Sequence, residues 1–232
     1  MSKKWITPTL AMVLAAGCWL FSACGNNSGC VSGSTGQSFG GLGGCVGGAS
    51  TRPQTSFQIL GDEGTPFTAT IADTQASFVI NGTVPLSVVL VNSHPPTQMS
   101  ATKNETGSSL LSLQLVFGTS IQQISSTSAP FGTVFVQTGT LTASGPPANP
   151  DVRFFVKAPL GESFTSLIED PSNGFIVDTT VPALLLFEGS QRKVDGQFIQ
   201  LEKRGLFAID LFVDRILVAE ASGAPDVSIR QP

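Results

Sequence analysis

Apolar and small polar residues alternate over several short stretches of the chain. In 67–71 (FTATI) and 111–117 (LSLQLVF), apolar side chains fall on every second position, a period of two typical of β-strands with one buried face. Residues 132–137 (GTVFVQ) repeat the pattern. By contrast, 84–91 (VPLSVVLV) is almost continuously apolar, which is typical of a short strand buried on both faces.

One stretch of this pattern occurs twice. Gly64–Pro85 (GTPFTATIADTQASFVINGTVP) aligns without a gap to Gly161–Pro182 (GESFTSLIEDPSNGFIVDTTVP), 97 positions later. The shared positions include Gly, Phe, Ile and Asp, and both stretches end in Thr-Val-Pro. A constant offset over this length indicates a tandem duplication. Although 162–169 (ESFTSLIE) alone could form a helical turn, its partner TPFTATIA favours a strand because β-branched residues crowd a helix.

The remaining strands follow the same order in both copies. Phe154 corresponds to Phe57, and 181–187 (VPALLLF) repeats the buried strand at 84–91. The alternation at 111–117 returns at 207–213, one position closer, as expected when a loop shortens and the strands are retained.

These patterns predict an all-β protein of two tandem immunoglobulin-like β-sandwich repeats, 54–144 and 145–232. Gly145–Pro150 (GPPANP) is predicted to be a stiff, extended linker between them. Within the first repeat, Asp73-Thr74-Gln75 predicts a turn, and Asn81-Gly82 predicts a hairpin because both residues accept a positive φ.

Composition narrows the possible functions. The 232 residues contain 12 Lys and Arg against 16 Asp and Glu, for a net charge of −4, and no basic patch is large enough to neutralise a row of phosphates. Nucleic acid is therefore not an expected partner. The chain has no Tyr, and both Trp residues, Trp5 and Trp19, lie near its start. The aromatic residues beyond them are all Phe, which favours a role in the core.

Residues 1–23 have the layout of an export signal, with Lys3-Lys4 before an uncharged apolar run. The end of this run, Phe21-Ser22-Ala23-Cys24, resembles the lipobox of bacterial lipoproteins. The resemblance covers the leader alone and implies that Cys24 becomes the new amino terminus and carries the acyl chains. Leu14–Cys18 is a competing match, but cleavage there would leave apolar residues beside the anchor.

The lipobox resemblance also implies a location in the cell. Gly25, in place of Asp after the anchor, favours the outer membrane of a bacterial cell envelope, with the membrane itself as a partner through the lipid on Cys24. An uncleaved membrane anchor or plain secretion is the alternative.

Residues 24–53 form a Gly/Ser-rich stretch with almost no large apolar residue, and we expect a flexible tether. Cys30 and Cys45 lie within this tether. In an oxidising compartment such a pair forms a disulfide more often than a metal site, and the spacing does not match a zinc motif. No cofactor or metal is expected.

Candidate catalytic groups are few. His94 is the single His of the chain and stands in a Pro-rich loop, without a recognisable nucleophile motif. Asp73 and Asp170 occupy matching positions in the two copies, with Glu169 beside the second. Paired carboxylates could act as acid and base, but an Asp after a strand more often caps a turn by accepting backbone N–H groups.

The most charged part of the body is Gln191–Gly205 (QRKVDGQFIQLEKRG), which we interpret as an exposed polar hairpin. Its cationic residues, Arg192, Lys193, Lys203 and Arg204, are the predicted binding face for an envelope protein partner.

The sequence therefore predicts a lipid-anchored, non-catalytic envelope protein with a structural, adhesive or binding role. Two alternatives remain open at this point. One is an envelope hydrolase using paired carboxylates. The other is a periplasmic assembly accessory or chaperone that adds a strand to a client through a sheet edge.

Overall fold

The computed structural model describes residues 55–117, 120–149, 151–169, 174–188, 194–201, 205–224 and 226–231. The all-β prediction is confirmed, since the regular structure within these ranges consists of strands without a helix. The first half (55–149) contains β1 Thr55–Gly61, β2 Pro66–Ala72, β3 Ser77–Thr83, β4 Leu86–Leu90, β5 Gln98–Lys103, β6 Leu111–Phe117, β7 Ser120–Thr127 and β8 Thr133–Gln137. The second half (151–231) contains β9 Asp151–Lys157, β10 Ser163–Glu169, β11 Gly174–Thr180, β12 Ala183–Glu188, β13 Asp195–Gln200, β14 Phe207–Val213, β15 Ile216–Gly223 and β16 Asp226–Arg230.

The strands form three sheets. An eight-stranded sheet runs through both halves in the order β15-β14-β9-β12-β4-β1-β6-β7. Two four-stranded sheets have the orders β3-β2-β5-β8 and β11-β10-β13-β16. The order in the second half therefore matches that in the first, strand for strand. The register also matches, because Phe57 pairs with Val88 and Phe154 pairs with Leu185.

The two halves meet at a parallel pair, β4 and β12, in the middle of the eight-stranded sheet. All five residues of β4 are buried. The continuous apolar runs of the sequence are explained by this position, because a central parallel strand is covered on both faces. The prediction of buried strands at 84–91 and 181–187 is confirmed, whereas their pairing with each other had no signal in the sequence.

The two four-stranded sheets lie on opposite faces of the eight-stranded sheet. Along β4, Val88 and Leu90 belong to the core of the first half, whereas Val89 between them belongs to the core of the second half. Along β12 the side chains alternate in the same way, with Leu184 in the first core and Leu185 in the second. Since successive side chains of a strand point to opposite faces, each small sheet covers its own half from a different side.

Matching turns, between β1 and β2 and between β9 and β10, contact the residues that precede the two central strands. Gly64 and Gly161 have φ values of 83° and 81°, in the region that favours glycine. Their N–H groups donate to the carbonyls of Val84 and Val181, at 2.9 and 3.0 Å. Both glycines are therefore turn residues, retained at the same offset in the two halves.

A buried hydrogen-bond donor ends β5 and β13 at matching positions. The fully buried Lys103 donates from Nζ to the carbonyls of Gly107 and Ser109, each at 2.7 Å, and to that of Ser128 at 3.4 Å. In the second half, the buried Gln200 donates from Nε2 to the carbonyl of Gly205 at 3.1 Å. Both side chains satisfy carbonyls of the loop that follows their strand.

Two local predictions are wrong. The first is the hairpin at Asn81-Gly82, because this dipeptide lies inside β3. The β2–β3 hairpin turns at 73–76, where Asp73 N–H donates to the carbonyl of Ala76, so the turn predicted at Asp73-Thr74-Gln75 is confirmed. The segment predicted as a stiff, extended linker is partly docked, because Gly145 N–H donates to the Asp73 carbonyl and Ala148 N–H to the Ser77 carbonyl. Backbone pairing, which the Pro-rich composition did not reveal, holds this segment against the first half.

The second error concerns the predicted polar hairpin at 191–205. Asp195-Gly196 does not form a turn but begins β13, which pairs with both β10 and β16. Phe198 is fully buried, with its ring centroid 5.6 Å from that of Phe154. A Cβ on Gly196 would lie 2.6 Å from the Phe198 ring, so this glycine permits close packing rather than a turn.

Candidate functional site

A cleft of about 610 Å³ lies where the two halves meet. One wall is the edge strand β3 with the residues that follow it. The floor is the part of β9, β12 and β14 that the first small sheet leaves uncovered. Its lining side chains include Phe155, Leu184, Phe212, Arg153 and Arg215. The size and the largely apolar lining with a few polar groups are typical of ligand sites.

Arg153 links the floor of the cleft to its wall. Its guanidinium binds Asp151 through two hydrogen bonds, Nε to Oδ1 at 2.7 Å and Nη2 to Oδ2 at 2.6 Å. Nη2 also donates to the carbonyl of Val79 on β3 at 2.9 Å. The Arg153 and Asp151 side chains are 11% and 10% exposed, so the pair is largely desolvated. Such a bidentate pair holds the arginine in one orientation.

The second arginine of the cleft, Arg215, stands in the turn between β14 and β15. Asp214 and Arg215 both have a positive φ, 51° and 67°, as a two-residue hairpin turn requires. Asp214 fastens the turn to β9, because its Oδ1 accepts from Asp151 N–H at 3.0 Å and its own N–H donates to the Asp151 carbonyl at 2.8 Å.

Arg215 is more available than Arg153. Its side chain is 68% exposed, and its ion pair with Asp151 is long, at 3.8 Å from Nε to Oδ2. The Asp151 carboxylate is already held by Arg153. A left-handed conformation costs a residue with a Cβ about 1 to 2 kcal/mol, so the turn holds Arg215 at the cleft despite a backbone penalty.

The edge of β3 leaves backbone groups facing the cleft. Ser77 N–H and the Val79 carbonyl point away from β2, since they bond to Pro146 and to Arg153. In an antiparallel pair the direction alternates by residue, so the backbone groups of Asn81 and Thr83 also point away from β2. Within the described part of the chain, no other backbone group pairs with Asn81 or Thr83 on that side.

On the same face of the floor, Lys157 and Asp210 form an ion pair. The Lys157 ammonium also lies 5.5 Å from the centre of the Phe155 ring, in a cation–π contact. These contacts fix the Phe155 ring at the cleft floor.

Asp73, predicted as either a turn cap or a catalytic carboxylate, has the geometry of a cap. The residue is fully buried, and its Oδ1 accepts from the N–H groups of Gln75 and Ala76 at 2.8 and 2.9 Å. Its Oδ2 accepts from His94 N–H at 2.7 Å. The His94 ring lies beside this carboxylate, with Nδ1 3.7 Å from Oδ2 and the side chain 36% exposed. The carboxylate therefore joins two loops.

Most of the other predicted site residues lie outside the described ranges. These are the lipidation site Cys24, the predicted disulfide pair Cys30 and Cys45, the cationic residues Arg192, Lys193, Lys203 and Arg204, and Asp170. Glu169 is described and half-buried at the end of β10. Burial raises the pKa of its carboxyl above the ordinary 4.5, and the Asp195 charge raises it further, while Arg230 lowers it.

Sequence reasoning missed the cleft residues. One signal was available, namely the difference between the two copies at a constant offset. The position 97 before Arg153 holds Ser56, and the positions 96 before Asp214 and Arg215 hold Gly118 and Thr119. The two arginines are thus departures from the pattern that the two copies share.

Within the described ranges, no helix is long and apolar enough to cross a membrane. In the same part of the chain, no group of three or more His, Cys, Asp or Glu side chains could hold a metal ion. Comparisons of the chain with protein-family models, with curated proteins and with solved structures found no match.

Proposed function

We propose that the chain is a non-catalytic binding protein of the bacterial cell envelope, which takes up its partner in the cleft between its two halves. The main support for this proposal is the cleft itself, which has an apolar floor, two arginines and an open strand edge. The described residues that line it include no carboxylate and no His, the groups on which general acid–base hydrolysis depends. This chemistry favours binding over the hydrolase alternative.

The proposed architecture is a tandem duplication of an immunoglobulin-like β-sandwich. Its support is the equal strand order of the two halves, the equal register of β1 with β4 and β9 with β12, and the equal offset of the glycine turns. A bulge also recurs 96 residues apart, at Leu115/Val116 and Leu211/Phe212. Independent origins would not be expected to reproduce all four features.

The proposed location is the outer membrane, through acyl chains on Cys24 and a flexible tether of residues 24–53. Its support is the resemblance of Phe21–Cys24 to a lipobox. Metabolic labelling with a clickable fatty acid tests the anchor. The wild type should become labelled, and Cys24→Ala should lose the label, whereas Cys18→Ala should retain it. Equal labelling of the Cys24→Ala variant and the wild type would refute the anchor.

A photo-crosslinking experiment tests the cleft. A benzoylphenylalanine in place of Phe212 lies on the cleft floor, and one in place of Phe135 lies on β8, at the opposite edge of the first small sheet from β3. Irradiation of cells that produce each variant should yield a discrete adduct from position 212. Position 135 is the matched control, because Phe135 is an aromatic residue like Phe212 and its side chain is 43% exposed. Equal adducts from both positions, or none from 212, would contradict a binding cleft.

A second candidate function, strand addition to a client, is favoured by the edge of the eight-stranded sheet. β7 (SIQQISST) carries neither a charge nor a Pro, the usual protections of an edge. Its Ile121 and Ile124 are 53% and 57% exposed. If β7 pairs with a client, Ile124→Lys should abolish capture of that client and leave the position-212 adduct unchanged. Capture that survives Ile124→Lys would exclude this function.

A further inference from the structure

The wall of the cleft has the backbone pattern of a strand that lacks its neighbour. β3 is the edge of its sheet, and segment 146–148 pairs with Ser77 at one end of it. The next outward carbonyl, that of Val79, accepts from Arg153 instead of from a strand. Beyond Val79, the outward backbone groups of Asn81 and Thr83 face the cleft. An extended segment of about three residues could pair with them.

The side chains of the cleft specify what such a segment should carry. Phe155 and Phe212 provide apolar surface below the strand edge. Among the described residues, the lining contains two arginines and no acidic residue, although the chain as a whole has a net charge of −4. The carboxylates behind the arginines are already engaged, Asp151 by Arg153 and Asp214 by the backbone of Asp151. Arg215 is therefore the cation with free donors for an incoming anion.

We propose that the cleft binds an extended peptide segment with an acidic side chain. The peptide backbone pairs with β3 at Asn81 and Thr83, an apolar side chain packs on Phe155 and Phe212, and the carboxylate forms an ion pair with Arg215. This proposal rests on the proposed function, because it names the chemistry of the partner that the cleft receives. Charge complementarity selects this occupant, since a basic segment would meet Arg153 and Arg215.

The turn that carries Arg215 allows ligand binding to be separated from folding. Arg215→Gly removes the guanidinium and supplies the residue that a positive φ of 67° favours. The unfolding temperature of this variant should stay the same or rise. Arg215→Lys retains the positive charge and serves as the conservative control. A loss of binding in the glycine variant alone therefore reports on the ion pair and not on a damaged fold.

The test uses the full chain, labelled with a fluorophore, and a bead library of acetylated pentapeptide amides. Each position of the library is randomised among Asp, Asn, Lys, Thr, Val and Phe. We expect beads selected by the wild type to be enriched in Asp over Asn at one position, with Val, Thr or Phe beside it, and depleted in Lys. Arg215→Gly should lose the preference for Asp and bind the best peptide at least tenfold more weakly, whereas Arg215→Lys should stay within about threefold.

Two further measurements check the backbone pairing. The best peptide should shift the amide signals of Asn81 and Thr83 in a ¹⁵N–¹H spectrum, and N-methylation of the peptide bond that faces them should weaken binding at least tenfold. N-acetylaspartate amide should compete only at far higher concentrations. If it competes as well as the peptide, the cleft binds small carboxylates and the peptide proposal is overturned.

The proposal is also overturned if the library shows no selection for Asp, or if Arg215→Gly selects Asp as strongly as the wild type does. The crosslink at position 212 distinguishes the two levels of failure. An adduct in cells without Asp selection refutes the acidic peptide and retains the binding cleft. The absence of both refutes the proposed function as well.

Discussion

Replacement of Lys103 by Met should destabilise the fold strongly, although the two side chains have similar length. Lys103 is fully buried, and its ammonium donates to three loop carbonyls. Methionine retains the packing of the stem but provides no donor. The carbonyls of Gly107 and Ser109, at 2.7 Å, would lose their partner. Each such bond to a charged donor contributes about 1.5 to 3 kcal/mol.

We therefore expect Lys103→Met to lower the free energy of unfolding by about 3 to 6 kcal/mol, counting the two short bonds in full and the 3.4 Å bond to Ser128 as minor. Lys103→Gln should cost less than half as much, because an amide can still donate. The second half contains the natural precedent, since the matching Gln200 donates to the Gly205 carbonyl at 3.1 Å. Gln200→Met, which removes one neutral bond, should cost about 1 to 2 kcal/mol.

Urea unfolding followed by far-UV circular dichroism measures these differences. Fluorescence is unsuitable, because the chain has no Tyr and its only Trp residues, Trp5 and Trp19, lie in the export signal that we predict to be removed. In thermal scans, Lys103→Met should lower the midpoint by roughly 6 to 24 °C. The reasoning is refuted if Lys103→Met lies within about 1 kcal/mol of the wild type, or if Lys103→Gln is as damaging as the Met variant.

Three other predictions concern carboxylates and their partners. The raised pKa of Glu169 means that the folded state binds the proton of this carboxyl more tightly than the unfolded state does, so stability falls as the pH rises from 4.5 through the raised value. Glu169→Gln should remove this fall, and in urea titrations at pH 7 it should be more stable than the wild type. Asp73→Ala should lower the free energy of unfolding by about 2 to 4 kcal/mol, because it leaves three backbone N–H groups without their acceptor. Asp73→Asn keeps Oδ1 and should lose about half of that. Equal losses in the two variants would contradict the capping role. Arg153→Met should lower the free energy of unfolding by about 3 kcal/mol, because it leaves the buried Asp151 charge without its partner. The double variant with Asp151→Asn should recover part of this loss. A double variant less stable than Arg153→Met alone would be contrary evidence.

Much of the secondary structure could be predicted, because strand patterning is local. The alternation at 111–117 corresponds to β6, and the apolar runs at 84–91 and 181–187 contain β4 and β12. The internal repeat also resolved the ambiguous segment at 162–169, which is the strand β10. Asn81-Gly82 shows the limit of such reasoning. A dipeptide that favours a turn was overridden by pairing with β2, since tertiary pairing outweighs local propensity.

The candidate site could be predicted much less well. Asp73 was recognised, and its role as a turn cap follows from its place after a strand. Arg153 and Arg215, which line the cleft, stand 62 positions apart in different strands and turns, and neither belongs to a motif. Their common location depends on how β9 and β14 lie beside β3. Charge counting instead favoured 191–205, where the described strand β13 is buried.

The sequence by itself determined the strand class, most strand positions and the matching order of the two halves, because side-chain alternation and turn chemistry act over a few residues. Only the tertiary structure decided that β4 and β12 pair in parallel, that the small sheets cover opposite faces, and that a cleft remains between them. The physical reason is that strand pairing uses backbone N–H and C=O groups, which almost every residue supplies. The pairing of two strands about 97 residues apart therefore has no signal in the local sequence. It depends on which faces of the sheets can be buried together.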